Sequence, residues 1–148
     1  MRDSKDFNES YMAKFGFFLH KNMGMHVLIV LILNTISLIV TVGLFELIGR
    51  PVLNFEIAGF IFFVIVATLI EVSLKIFVLR HFINLIVKTY GFLLIILQVI
   101  IFFLSKLIVT EVSFAYMEVL SLIYMTLLFL LIRLVLIIIY QRYIMKKI

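Results

Sequence analysis

This sequence predicts a polytopic all-α membrane protein, with four transmembrane helices in an antiparallel bundle and an interfacial amphipathic helix before them. Three observations predict it. Hydrophobic residues make up 66% of the 148-residue chain and charged residues 14%, against about 45–50% and about 25% in ordinary soluble domains. A soluble fold of this size keeps too much surface in water to hide that much apolar material. Four apolar stretches each approach or exceed the roughly 20 residues that a spanning helix needs. The basic residues, finally, gather at alternate connections between those stretches.

The elements follow in order. In residues 1–22, Phe7, Tyr11, Phe15 and Phe18 recur at helical spacing with Lys5, Lys14 and Lys21 interleaved. That pattern predicts a helix lying in the headgroup plane. The first span, 27–45, holds no charge. The second, 57–79, is apolar except for Glu71 and Lys75. The third, 82–105, carries Lys88, and the fourth, 112–140, carries Glu118 and Arg133. Backbone groups in hydrocarbon must bond within their own segment, so these spans are expected to be α-helices. Turn chemistry separates them. Gly49 and the only proline, Pro51, fall between the first two spans, Arg80-His81 after the second, and "SKLIVTE" after the third. Short connections make successive helices antiparallel neighbours, and the whole chain, 1–148, reads as one domain. The first apolar run is too long for a signal-peptide core and no small-residue cleavage site follows it, so a cleaved leader is not expected.

Topology follows from lysine and arginine. Of the 13 basic residues, only Arg50 and Lys106 lie on one side; the other eleven lie before the first span, around the second turn or at the end. Positive residues stay cytoplasmic. The expectation is a multi-pass cell-membrane protein with both termini inside. The net charge of +5 thus points to a membrane surface, not to nucleic acid.

Glu71 and Lys75 need an explanation, because a charge at the bilayer centre costs roughly 2.5–3.5 kcal/mol on insertion scales. Counting 14 residues from Ile57 puts Glu71 about 21 Å deep at 1.5 Å per residue, in the inner third of a core about 30 Å thick. Lys75 follows at i+4, the favourable order for a helical pair, and can snorkel. Arg133 is equally deep in the fourth span, which runs in the same direction. Three readings stay open: a local Glu71–Lys75 pair, a Glu71–Arg133 tie between the second and fourth helices, or Glu71 as the proton or cation site of a transporter.

Other polar residues share helix faces: Asn34, Ser37 and Thr41 in the first span, Gly91 and Gln98 in the third, Thr126 and Arg133 in the fourth. Such stripes hold membrane helices together, or line a polar channel. The chain has no cysteine, and His20, His26 and His81 are scattered near segment ends, so no metal or other cofactor is expected. No HExxH, GxSxG or phosphate-cradling glycine loop occurs. An enzyme is not expected.

The stretch "LFELIGRPVLNFEIAGFIFFVIVATLIEVSLKIF", residues 44–77, resembles the small bacterial regulatory membrane proteins of the YvrL/YrvL type. Gly49 in a short hairpin, Phe60, Phe62 and Phe63 in the second span, and late Glu71 followed by Lys75 fit that pattern. The resemblance implies a membrane-held regulator whose partner, beyond the lipid bilayer, is a cytoplasmic protein such as an alternative sigma factor. The rival reading is a small transporter or channel subunit using Glu71. Oligomerisation is compatible with either.

Overall fold

The computed structural model describes Leu19 and residues 22–89, 91–115 and 118–144. The interfacial helix expected over 1–22 lies outside them, apart from Leu19 and Asn22. Among the described residues there are four helices and two short strands: α1 Met23–Leu47, β1 Leu53–Phe55, α2 Ile57–Lys88, α3 Phe92–Ile108, β2 Val112–Phe114 and α4 Glu118–Tyr143.

Local chemistry sets the ends of α1. The Asn22 side chain accepts from the Gly24 N–H at 3.0 Å, an N-cap that satisfies one orphan donor. At the other end Gly49 takes φ 74°. Its N–H bonds the Glu46 carbonyl at 2.9 Å and the Arg50 N–H bonds the Phe45 carbonyl at 3.0 Å. This is a Schellman closure, and Pro51 prevents any continuation.

Two boundaries differ from the expectation. The second turn does not lie at Arg80-His81. The helix bends at Phe82 (φ −128°, ψ 19°) and runs on to Lys88. Arginine and histidine are compatible with a helix; the residue that ends this one is Gly91, at φ 84°, where a side chain would be strained. The third helix therefore spans 92–108 and not 82–105. The fourth helix starts at Glu118, not at 112, because Val112–Phe114 is a strand paired antiparallel with β1, Leu53 opposite Phe114 and Asn54 opposite Ser113. Val112 and Phe114 are buried while Ser113 is exposed, the period of two that a strand needs.

The helices close a four-membered ring. α1 packs on α2 and α4, and α3 packs on the same two. Phe63 of α2, Phe102 of α3 and Phe129 of α4 are fully buried and form an aromatic ladder, with Phe63–Phe102 centroids 6.0 Å apart and Phe102–Phe129 centroids 4.9 Å apart edge to face. A second cluster joins Leu19 to Val30 and Leu33 of α1, Val72 of α2 and Ile137 of α4.

The surface is the reverse of a soluble protein's. Leu28, Ile32, Ile61, Leu69, Phe103, Leu131 and Leu134 are exposed, while Asn34, Glu71, Gln98 and Arg133 are buried. Among the described residues Met23–Leu47, Ile57–Val78 and Glu118–Tyr143 are long and apolar enough to cross a membrane, and Phe92–Ile108 is a shorter apolar helix. The architecture is that of a membrane helical bundle.

Candidate functional site

Glu71 sits at the centre of the polar interior. On α2, Thr68, Glu71 and Lys75 recur at i, i+3 and i+7 and so share one face. Asn34 of α1 and Arg133 of α4 converge on that face. Glu71 is 1% exposed. Its Oε1 pairs with both the Lys75 ammonium and the Arg133 Nη1. Its Oε2 accepts from the Asn34 amide at 2.7 Å, and the same amide donates to the Thr68 hydroxyl at 3.1 Å.

The local pair and the inter-helix tie, alternatives in the sequence, thus coexist on one oxygen. α2 and α4 occupy opposite corners of the ring, so the long Arg133 side chain crosses the interior to reach Glu71. Arg133 also lies over the Phe129 ring, 5.9 Å from its centroid, within the range at which an aromatic face attracts a cation. Arg133 Nε and Nη2 and Asn34 Oδ1 are buried without a hydrogen-bond partner.

The remaining polar stripe does not converge on Glu71. Ser37 donates to the Leu33 carbonyl at 2.7 Å and Thr41 to the Ser37 carbonyl at 2.6 Å. Thr126 donates to the Leu122 carbonyl at 2.7 Å. These hydroxyls return to their own helix one turn back, which satisfies them inside the bundle. Gln98, 2% exposed, faces a cavity of about 680 Å³ between α2, α3 and α4, together with Lys75 and Arg133. Gly91 lies in the turn that borders that cavity.

Sequence reasoning overlooked Thr68 and the role of His26. Thr68 had a signal, since it precedes Glu71 by three residues on the same helix face. His26 is buried in α1, where its Nδ1 accepts the Leu19 N–H at 3.2 Å, tying Leu19 to the bundle. His81, by contrast, is exposed beside the Phe77 ring. Among the described residues no group of three or more His, Asp or Glu side chains is placed to hold a metal ion. No family model, curated protein or solved structure matches the chain.

Proposed function

We propose that this chain is a non-enzymatic regulatory protein of the bacterial cell membrane, with four spans and both termini cytoplasmic, that acts by binding a cytoplasmic protein. In line with the resemblance in residues 44–77, the partner class is an alternative sigma factor held in check. The observation that carries the reading is Glu71: both of its oxygens are taken by protein groups, Lys75 and Arg133 on one and Asn34 on the other. A carboxylate so enclosed acts as an interhelical lock, with two protein cations already beside it where a transported cation would have to sit.

The span count has its own support. Because β1 and β2 pair, the α1–α2 and α3–α4 connections lie side by side at one end of the bundle. α3 therefore returns to the end from which α2 departed. Its 17 residues rise about 26 Å, at the short limit for crossing a core about 30 Å thick. The basic bias places the opposite end in the cytoplasm. There the last turns of α2, past the bend at Phe82, expose Phe82, Leu85 and Val87 beside exposed Arg80 and Lys88. Exposed apolar residues flanked by cations are suited to docking an acidic protein surface.

A photo-crosslinker at exposed Asn84, introduced into the full chain in cells, is expected to capture a sigma factor identified by mass spectrometry, with the yield falling in Arg80→Glu. Proton or cationic-drug flux through reconstituted protein, abolished by Glu71→Gln, would replace this reading with the transporter.

A further inference from the structure

Arg133 engages Glu71 through one corner of its guanidinium only. Nη1 makes the bond, while Nε and Nη2 are buried and without a hydrogen-bond partner. Those two N–H groups lie on one edge of the planar group, the edge that grips a carboxylate or phosphate with two parallel bonds. Donors left unfilled in a low-dielectric interior are costly, so this edge is suited to an oxyanion that the chain itself does not supply.

The charges around it agree. Two cations share one carboxylate, which leaves the cluster one positive charge in excess. The cavity that Arg133 lines also has Lys75 and Gln98 in its wall and, among the described residues, no acidic one. Apart from Thr89, the rest of the wall is apolar, with Leu94 and Ile95 on α3 and Leu134 and Ile137 on α4. Of the lining residues, Phe92, Leu131 and Leu134 are exposed, so the cavity opens to the surface of an apolar bundle, where an acyl chain can enter. Its volume of about 680 Å³ falls in the range of about 300–1,000 Å³ occupied by single small ligands.

We infer that this cavity binds one anionic amphiphile, with its oxyanion head beside Lys75 and Gln98, the buried Arg133 side chain turning its Nε–Nη2 edge into the cavity to grip it, and its acyl chain along Leu94, Leu134 and Ile137. The inference does not depend on the regulatory reading. The head can belong to a free fatty acid or to an anionic phospholipid, and the two are told apart by titration.

The test uses the full chain purified in a non-ionic detergent, with retention of radiolabelled palmitate measured against empty micelles. Palmitate is expected to be retained, and unlabelled hexadecanol, which has the same chain and no charge, to compete at least tenfold less well than unlabelled palmitate. Competition by phosphatidylglycerol more potent than by palmitate assigns the head to a phospholipid; the reverse assigns it to a fatty acid. Arg133→Lys keeps the charge and loses the fork, and is expected to weaken retention at least tenfold. Ile95 on α3 also lines the cavity and belongs to no ion pair, so Ile95→Phe, which fills the space, is expected to do the same at an unchanged melting temperature and decides the matter should Arg133→Lys fail to fold. No retention above micelles, equal competition by hexadecanol, or full retention in a folded Ile95→Phe protein overturns the inference.

Discussion

Arg133 on α4 and Glu71 on α2 meet across the middle of the helix ring, and the oxygen they share also takes Lys75. The carboxylate is the hub of this cluster: without it, two cations face each other in a dry interior. Removing one member of a buried ion pair typically costs about 3–5 kcal/mol, because the charge left behind has no compensation.

Glu71→Gln is therefore expected to be the most damaging single change in the cluster, by about 3–5 kcal/mol, seen as a lower melting temperature in detergent and lower abundance in cells. Because both cations contact Glu71, adding Lys75→Met or Arg133→Met alone is expected to restore only part of the loss. The triple variant Glu71→Gln/Lys75→Met/Arg133→Met should recover most of it, since replacing a whole buried ionic group by apolar residues is often close to neutral. Undiminished stability in Glu71→Gln would remove the lock from the account.

The two cations are not equivalent. The Lys75 side chain keeps 15% of its surface exposed and Arg133 only 3%. Arg133→Met leaves a charge-balanced Glu71–Lys75 pair with the Asn34 bond intact. It is expected to cost about 1.5–3 kcal/mol, the worth of a hydrogen bond to a charged group, and so less than Glu71→Gln. Melting curves of the two variants in the same detergent check the order; a more severe Arg133→Met would mean that Arg133, and not Glu71, is the hub.

Two glycines separate backbone need from packing space. Gly91 stands at φ 84°, where an L side chain costs roughly 1–2 kcal/mol. Gly43 lies inside α1, and a Cβ added there would meet nothing within 4 Å. Gly91→Ala is expected to lower stability by that amount, whereas Gly43→Ala should be neutral or should gain up to about 1 kcal/mol of helix propensity. Melting temperatures of the two variants in one detergent check the contrast. Gly59 is a third kind of case: a Cβ there would meet the Glu111 Cβ at 2.9 Å, so Gly59→Ala forces the loop before β2 to shift.

The shared level of Glu71 and Arg133 was legible in the sequence, and so were the participants of the ion cluster. Counting residues from the span starts puts Glu71 and Arg133 at one level, and i+4 spacing puts Lys75 beside Glu71. Counting does not fix how each helix is rotated about its axis, which is why the partner of Glu71 stayed open until α1, α2 and α4 were seen to converge. Rotation also decided that Asn34 reaches Glu71 while Ser37 and Thr41, on the same stripe, return to their own backbone. The strands were not legible for a different reason. Three residues such as Val112-Ser113-Phe114 are too few for their alternation to stand out beside a long apolar run. The bend at Phe82 has no sequence mark, since neither proline nor glycine is present there.

The β1–β2 pairing offers the most direct test of fold and orientation together. Asn54 and Ser113 are Cα partners across the ribbon. Directly opposed residues in an antiparallel pair have Cα atoms about 4.5–5.5 Å apart, inside the range of about 4.4–6.8 Å that a disulfide needs. The chain has no native cysteine, so Asn54→Cys/Ser113→Cys introduces the only thiols. The double variant is expected to close a bond and migrate faster on a non-reducing gel, with reversal by reductant, while Asn54→Cys paired with a cysteine at Asn84, on the far part of α2, should not. Disulfides form outside the reducing cytoplasm, so closure in living cells without added oxidant places the ribbon outside and both termini inside. Closure only after membranes are opened and oxidant is added keeps the pairing and reverses the orientation, and failure to close under either condition removes the ribbon, and with it the argument that α3 completes a fourth crossing.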